Sequence, residues 1–399
     1  MSILDRFLRY IALDTQSDPE SMTSPSTEKQ LVLARMLKEE MEEIGLEDVY
    51  LSDTGVVYGT LKADQPAVKE PIGFIAHMDT AQEMPGKNVK PRIIQSWDGS
   101  KINLNDQWSM TMEDFPALNA VMGDDIIVTD GTTLLGADDK AGIAIIMETM
   151  ANLARETGRK RDLVIAFTPD EEVGRGVENF ELERFPVAYA YTLDGGEVEG
   201  VEYETFNASS AKIWIEGKSI HPGSAKDKMV NAALIAAQYA MLMPGYMTPT
   251  HTQGREGFIH LIHLEGDCEQ ARLEYILRDH EKAGLAAKKD LIEKAAEMIR
   301  CEHGDIIKVE IKDQYENMRD YMNGDFRAVD KACAALRKAG IEPESLPVRG
   351  GTDGAMLTQR GLITPNLGTG GGNYHGRFEF VSVNKMEKMM EVLKNIAED

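Results

Sequence analysis

The sequence predicts an α/β fold in which a mostly parallel sheet is interrupted by a smaller inserted α+β domain. Three observations carry this reading. Short apolar runs alternate with stretches of helical periodicity as far as about Glu204, the pattern of a parallel sheet with crossover helices. Strands of alternating polarity and long amphipathic helices then take over. At 399 residues the chain also exceeds what one hydrophobic core usually holds, which favours two domains.

Taken in order, Leu4, Phe7, Leu8 and Ile11 fall on one face of an opening helix, and Leu33, Met36, Leu37, Met41 and Ile44 form a second that stops at Gly45. Pro71 to Ala76, Asp162 to Phe167, Val187 to Leu193 and Leu362 to Leu367 read as buried strands. In the middle, Lys212 to Glu216, Gly257 to Leu264 and Ile306 to Ile311 alternate like half-exposed strands. Val230 to Leu242 and Leu285 to Ile299 have helical spacing. The sheet-forming part is therefore expected over 1–206 and 313–399, with 207–312 inserted as a lid or dimerisation domain.

The residues just past the apolar runs suggest chemistry. Ligands of open α/β sheets bind outside the carboxyl ends of the strands, where side chains distant in sequence converge. His77 ends the first run, Glu172 comes after the second, Asp194 after the third, and the fourth leads through a glycine-rich loop to His375. Asp138 and Asp139 stand just before KAGIAIIMETM, at a helix N-terminus. Either could merely cap that helix. Taken together, two imidazoles and three carboxylates suit a pair of divalent ions, with zinc the expected metal and Asp138 placed to bridge. Two such ions can hold a hydroxide at neutral pH and polarise a carbonyl.

Amide hydrolysis also needs a base that does not bind metal. Glu171 beside Glu172 supplies one, because neighbours in an extended segment point opposite ways. His77 and Asp79 share a face at a strand end, so Asp79 is expected to accept the second imidazole proton and fix the ring's tautomer.

The strings FLRYIALDTQSDP, GFIAHMDTA, DGTTLLGADDKAGIA, FTPDEEVGRG, TLDGGEVEGVEYETFNA, IHPGSAKDKMVNA, RGGTDGAMLT and GGNYHGRFEF carry a family likeness along nearly the whole chain. The sequence resembles the peptidase T family, tripeptide aminopeptidases of the two-metal peptidase clan that also contains carboxypeptidase G, dipeptidases and aminoacylases. HMD, ADDKAG and DEEVG resemble the clan; the longer strings resemble the family. The resemblance implies His77 and Asp194 on one metal, Glu172 and His375 on the other, and Asp138 between them. It also implies Glu171 as general base, Asp79 as orienting acid, and a cis peptide between Asp138 and Asp139. In related enzymes the histidine matching His221 helps stabilise the tetrahedral oxyanion and can come from a partner subunit, so a homodimer through the inserted domain is open. Within the clan the same machinery serves dipeptidases and N-acyl amino acid deacylases, and a non-catalytic peptide-binding protein would keep the fold without the base.

Further residues are candidates for contact with substrate. His221 precedes a Pro-Gly turn that can hold an imidazole at an exposed tip, which also describes an ordinary loop histidine. Arg278 could pair bidentately with a peptide carboxylate. Arg349 opens a small-residue loop, and Asn317 is a lesser candidate. Gly368 to Gly372 lacks the lysine and helix of a phosphate loop.

Composition excludes other classes. With 67 acidic against 43 basic residues the formal charge is −24, which disfavours nucleic acid and anionic membranes as partners. No apolar run reaches the roughly 20 residues of a membrane span, and no signal-like segment opens the chain. Three scattered cysteines make no disulfide framework, and a cytoplasmic enzyme acting on short peptides is expected.

Overall fold

The computed structural model describes residues 1–399. They form two compact units: Met1–Tyr203 with Tyr321–Leu346 and Thr352–Asp399, and Glu204–Asp320 with Pro347–Gly351.

The first unit is built on a seven-stranded sheet. Its strands lie in the order Glu47–Leu51, Val57–Leu61, Leu163–Thr168, Ile72–His77, Tyr189–Gly195, Asn366–Gly368 and Val201–Glu202. The four from Leu163–Thr168 to Asn366–Gly368 run parallel, and the outer three pair antiparallel. Ile72–His77 and Leu163–Thr168 are buried throughout, as continuous apolar runs should be in a sheet covered on both faces. The fourth expected strand is shorter than its apolar run. The Ile363 and Pro365 carbonyls already accept from Ala190 and Thr192, but Pro365 has no N–H to return, and regular pairing begins at Asn366.

The helix Ala137–Arg155 is buried on nearly every face from Asp139 to Ala151. It packs on the strands Ile72–His77 and Tyr189–Gly195 and against the helices Ile3–Ile11 and Val383–Glu398. Its run of Ala, Ile and Met is the composition such a sandwiched helix needs. Gly142 lets it approach: a Cβ there would collide with the Leu193 carbonyl and the Asp139 carboxylate. The opening helix turns Ile3, Phe7, Tyr10 and Ile11 fully inward while Leu4 and Leu8 are half-buried. Its buried Arg6 pairs with Glu40 and Glu148, and Tyr10 donates to Glu40, tying three helices by one polar network.

A small antiparallel sheet, Gly371–Gly372, Phe380–Ser382, Ile126–Val128 and Arg92–Ile94 in that order, completes this unit. Its strands are too short for sequence periodicity to announce them. Residues 373–379 connect the two ends of its hairpin and carry His375.

The second unit is a four-stranded antiparallel sheet ordered Phe258–Gly266, Gln270–Asp279, Asn207–Glu216 and Ile307–Tyr315. The helices Ala232–Met241 and Lys282–His303 bury Ile235, Tyr239, Ile292 and Ile299 on Ile213, Leu273 and Tyr275. No helix of the chain is long and apolar enough to cross a membrane.

Candidate metal centre

The parallel strands deliver their ends to one place. His77 is the last residue of its strand, and its Nε2 lies 2.8 Å from Asp138 Oδ1 and 3.4 Å from Asp194 Oδ1. His375 Nε2 lies 3.1 Å from Glu172 Oε2 and 3.3 Å from the other oxygen of Asp138, Oδ2. Asp138 thus offers one oxygen to each of two groups, His77–Asp194 and Glu172–His375. Within each group of three the ligand atoms all lie within 4.8 Å of one another.

The local backbone explains how. Asp138 and Asp139 have non-helical torsions, the peptide between them is cis, and regular helix begins only after them. Asp139 is the cap: its Oδ1 accepts from Gly142 N–H, and its Oδ2 accepts from His77 N–H at 3.2 Å, joining the helix start to the strand end. Glu171 and Glu172 lie on a 3-10 turn rather than an extended segment, after Asp170 at φ +60°. Successive residues there diverge by about 120°, so separation of the two carboxylates follows from the turn and not from strand alternation. Glu171 is outside both groups of ligand atoms.

Asp79 is fully buried and does two things. Its carboxylate accepts from the amides of Glu171 at 2.9 Å and Glu172 at 3.2 Å, holding the turn beside His77. Toward the imidazole, His77 Nδ1 is nearer the Asp79 carbonyl, at 3.1 Å, than its carboxylate, at 3.5 Å. Sequence spacing showed the shared face but not the pull of two amides on the carboxylate.

So many carboxylates in one buried place oppose each other's charge. Burial, then the negative Asp194, pushes the Glu171 carboxyl well above its usual range. Burial also raises Asp194 to about 8 and lifts Glu172. Asp138 goes the other way: burial disfavours its charge, but hydrogen bonds from His375 and His77 outweigh it and pull the carboxyl down. Burial likewise opposes a charged His77, yet Asp194, Asp138 and Asp79 hold the ring well above the histidine range. His375, 44% exposed on the open side, is raised to about 11 by hydrogen bonds to Asp138 and Glu172.

The donor set fits a pair of cations. Two imidazole nitrogens face carboxylate oxygens across gaps of 2.8 to 3.4 Å, and the buried Glu172 Oε1 has no hydrogen-bond partner. A carboxylate oxygen buried in this way lacks a compensating charge or proton.

Sequence reasoning missed the residues that grip these ligands. Asp170 accepts from Ser26 N–H at 2.7 Å and Gln30 Nε2 at 2.7 Å, anchoring the DEE turn. Asn366 accepts from Asp194 N–H at 2.9 Å and donates to Glu202 at 2.6 Å. Asp353 is buried, accepts from Thr168 Oγ1 at 2.6 Å and leaves Oδ1 unpartnered. Of these, Asp170 and Asp353 stand inside the motifs DEE and GGTDG, and that adjacency was the available signal.

Comparison with known proteins matches residues 130–399 to the model of peptidase family M20/M25/M40. Peptidase T of Bacillus velezensis is 46% identical over 399 residues, covering 99% of this chain and 97% of that one. The chain belongs to peptidase family M20/M25/M40. Aminopeptidase PepT from Bacillus cereus superposes with a TM-score of 0.77 at 25% identity, over 99% of this chain and 97% of the other. A tripeptidase from Staphylococcus aureus shares the fold, with a TM-score of 0.78 at 20% identity over 100% and 98% of the two chains. As an M20 peptidase the chain is a hydrolase, and its two ligand groups are the candidate metal sites of that enzyme.

In this M20 peptidase the other predicted residues belong to the second unit. His221 is exposed, and its Nδ1 accepts from Gly223 N–H at 3.1 Å, so the neutral ring carries its proton on Nε2. Arg278 lies over the Tyr315 ring and donates to the Ser209 and Leu277 carbonyls. Arg349 donates to the Gly254 and Glu256 carbonyls and packs over Phe206 and Phe258. Asn317 is buried: its Oδ1 accepts from the amides of Thr205 and Arg319, and its Nδ2 donates to the His280 carbonyl. These contacts hold strand ends of the unit together.

Proposed function

We propose that this peptidase is a metal-dependent aminopeptidase that releases the N-terminal residue of tripeptides. The observation that carries the reading is Asp138, shared between two imidazole–carboxylate groups, with the uncommitted Glu171 beside them. The peptidase T relatives support the substrate class.

His77 and Asp194 would hold one cation and Glu172 and His375 the other, with Asp138 common to both; imidazole with carboxylate suits zinc. When bound, such a pair supplies a nucleophile at neutral pH and polarises the scissile carbonyl. Glu171 takes the proton of the attacking water on its carboxylate and returns it to the leaving amine. Burial and the neighbouring Asp194 raise this carboxyl well above its usual range, which makes it a stronger acceptor for the water proton than an exposed glutamate. Asp79 keeps the Glu171 turn and His77 in register by accepting the two turn amides. His221, with its proton on Nε2, is the donor to the carbonyl oxygen as it gains charge. Arg278 is the proposed partner of the peptide carboxylate.

We place the enzyme in the cytoplasm, in keeping with three free cysteines and a strongly acidic surface. The second unit is the proposed lid and dimerisation element. The test is a panel of tri-, di- and tetrapeptides and N-acyl amino acids given to metal-reconstituted protein, with products identified by mass. Loss of one N-terminal residue from tripeptides in preference to the others supports the reading; preference for dipeptides or N-acyl amino acids overturns it.

A further inference from the structure

Glu379 is fully buried, and no step of the proposed chemistry uses it. Its Oε2 accepts from the amides of Leu135 at 2.6 Å and Gly136 at 2.9 Å, and its Oε1 accepts from the amide of Asp138 at 3.1 Å. Leu135 and Gly136 lie outside any helix or strand, and Gly136 takes φ +82°, so neither amide has a ladder partner. Asp138 lies ahead of the Asp139 cap and of the regular helix, so its amide has no helical acceptor. A buried carboxylate is tolerated only when its lone pairs are filled, and hydrogen bonds to an ionised acceptor are roughly twice as strong as neutral ones. Glu379 therefore determines the path of the chain into Asp138.

The position of Glu379 adds a second consequence. It lies four residues after His375, in the same 373–379 connection of the hairpin. That connection is closed on itself by Asn373 Nδ2 donating to the Phe378 carbonyl at 3.1 Å. One short segment thus carries His375 at one end and the grip on Asp138 at the other. We infer that Glu379 is a positioning residue that sets the shared carboxylate of Asp138 against His375, so that the two ligand groups keep one spacing. The inference rests on the two-cation reading above. It explains why a glutamate is needed: glutamine would turn an NH2 group toward an amide N–H, leaving a donor facing a donor.

The test compares wild type with Glu379→Gln in three measurements. Amide hydrogen exchange of the metal-free proteins should show faster exchange at Leu135, Gly136 and Asp138 in the variant, with strand Leu163–Thr168 unchanged. Competitive titration with cobalt should show affinity about 10–100-fold weaker in the variant. The visible spectrum of the cobalt protein should change, because the ligands are displaced and not merely destabilised. Unchanged exchange at the three amides, or affinity and spectrum equal to wild type, overturns the inference. Wild type that takes up fewer than two cobalt ions refutes the two-cation reading instead, while the exchange measurement still decides the role of Glu379. If the variant does not fold, the wild-type protein decides: Leu135 and Gly136 amides that exchange as fast as open loops overturn the inference, and protection like that of the core strands supports it.

Discussion

Replacing Glu202 by glutamine should improve stability relative to wild type as pH rises from acid to alkaline. Glu202 accepts from Asn366 Nδ2 at 2.6 Å on the neighbouring strand, and Asn366 in turn accepts from the amide of Asp194. Burial pushes its carboxyl up from 4.5 to about 7, with the Asn366 hydrogen bond working the other way. The folded protein therefore keeps this proton up to about pH 7, whereas the unfolded chain loses it near 4.5. Between those values the unfolded state binds fewer protons, so stability falls as pH rises, and the loss is complete above about 7. A shift of this size amounts to about 3 kcal/mol at 1.36 kcal/mol per unit, and partial solvent exposure of the side chain reduces it to about 2. Glutamine keeps the oxygen that accepts from Asn366 and cannot ionise. Its unpaired NH2 costs a similar amount at every pH, so it cancels when two pH values are compared. Urea unfolding of metal-free wild type and Glu202→Gln at pH 4.5 and pH 8 gives the difference directly. The variant should gain about 2 kcal/mol relative to wild type between the two conditions. An equal difference at both pH values would refute the argument that burial disfavours this carboxylate.

Three other outcomes are expected. Arg6→Leu leaves Glu148 buried without its cation and Glu40 with only Arg9 at 3.8 Å, and should cost about 3–5 kcal/mol in chemical unfolding, with Glu40→Gln partly restoring it. Gly142→Ala drives a methyl group against the Leu193 carbonyl and Asp139, and should lower metal content by atomic absorption more than the thermal midpoint. Metal binding should release more than one proton per chain at pH 7, because His375, raised to about 11, and His77, raised well above its usual range, are both protonated in the metal-free protein. Apparent affinity should then fall steadily as pH is lowered, which calorimetry in buffers of different ionisation enthalpy would show.

Much of this site is legible in the chain because the residues that bind sit directly after the elements that deliver them. His77 closes a strand, Glu172 comes after one, and Asp138 precedes a helix, so periodicity alone predicts their common edge. What could not be read is the set of partners. Glu379 meets residues more than 240 positions away, and Asp170 meets Gln30 across 140, with no local pattern to connect them. The short strands around 92–128 carry too few residues for a period to emerge. The strand Gln270–Asp279 escapes a reading of the sequence although its signal exists: Ala271, Leu273, Tyr275 and Leu277 are buried and alternate with Arg272, Glu274 and Arg278. Ile276 on the outward face breaks the alternation by making Tyr275 to Leu277 one apolar run.

Two cations sharing Asp138 while Glu171 stays free of both is the central claim. The most direct measurement is metal stoichiometry and tripeptide turnover in wild type and Glu171→Gln side by side. Two metal ions per chain in both proteins, with turnover lost only in the variant, is the result predicted. Metal lost along with activity, or a metal-loaded variant that still cleaves tripeptides, would contradict it.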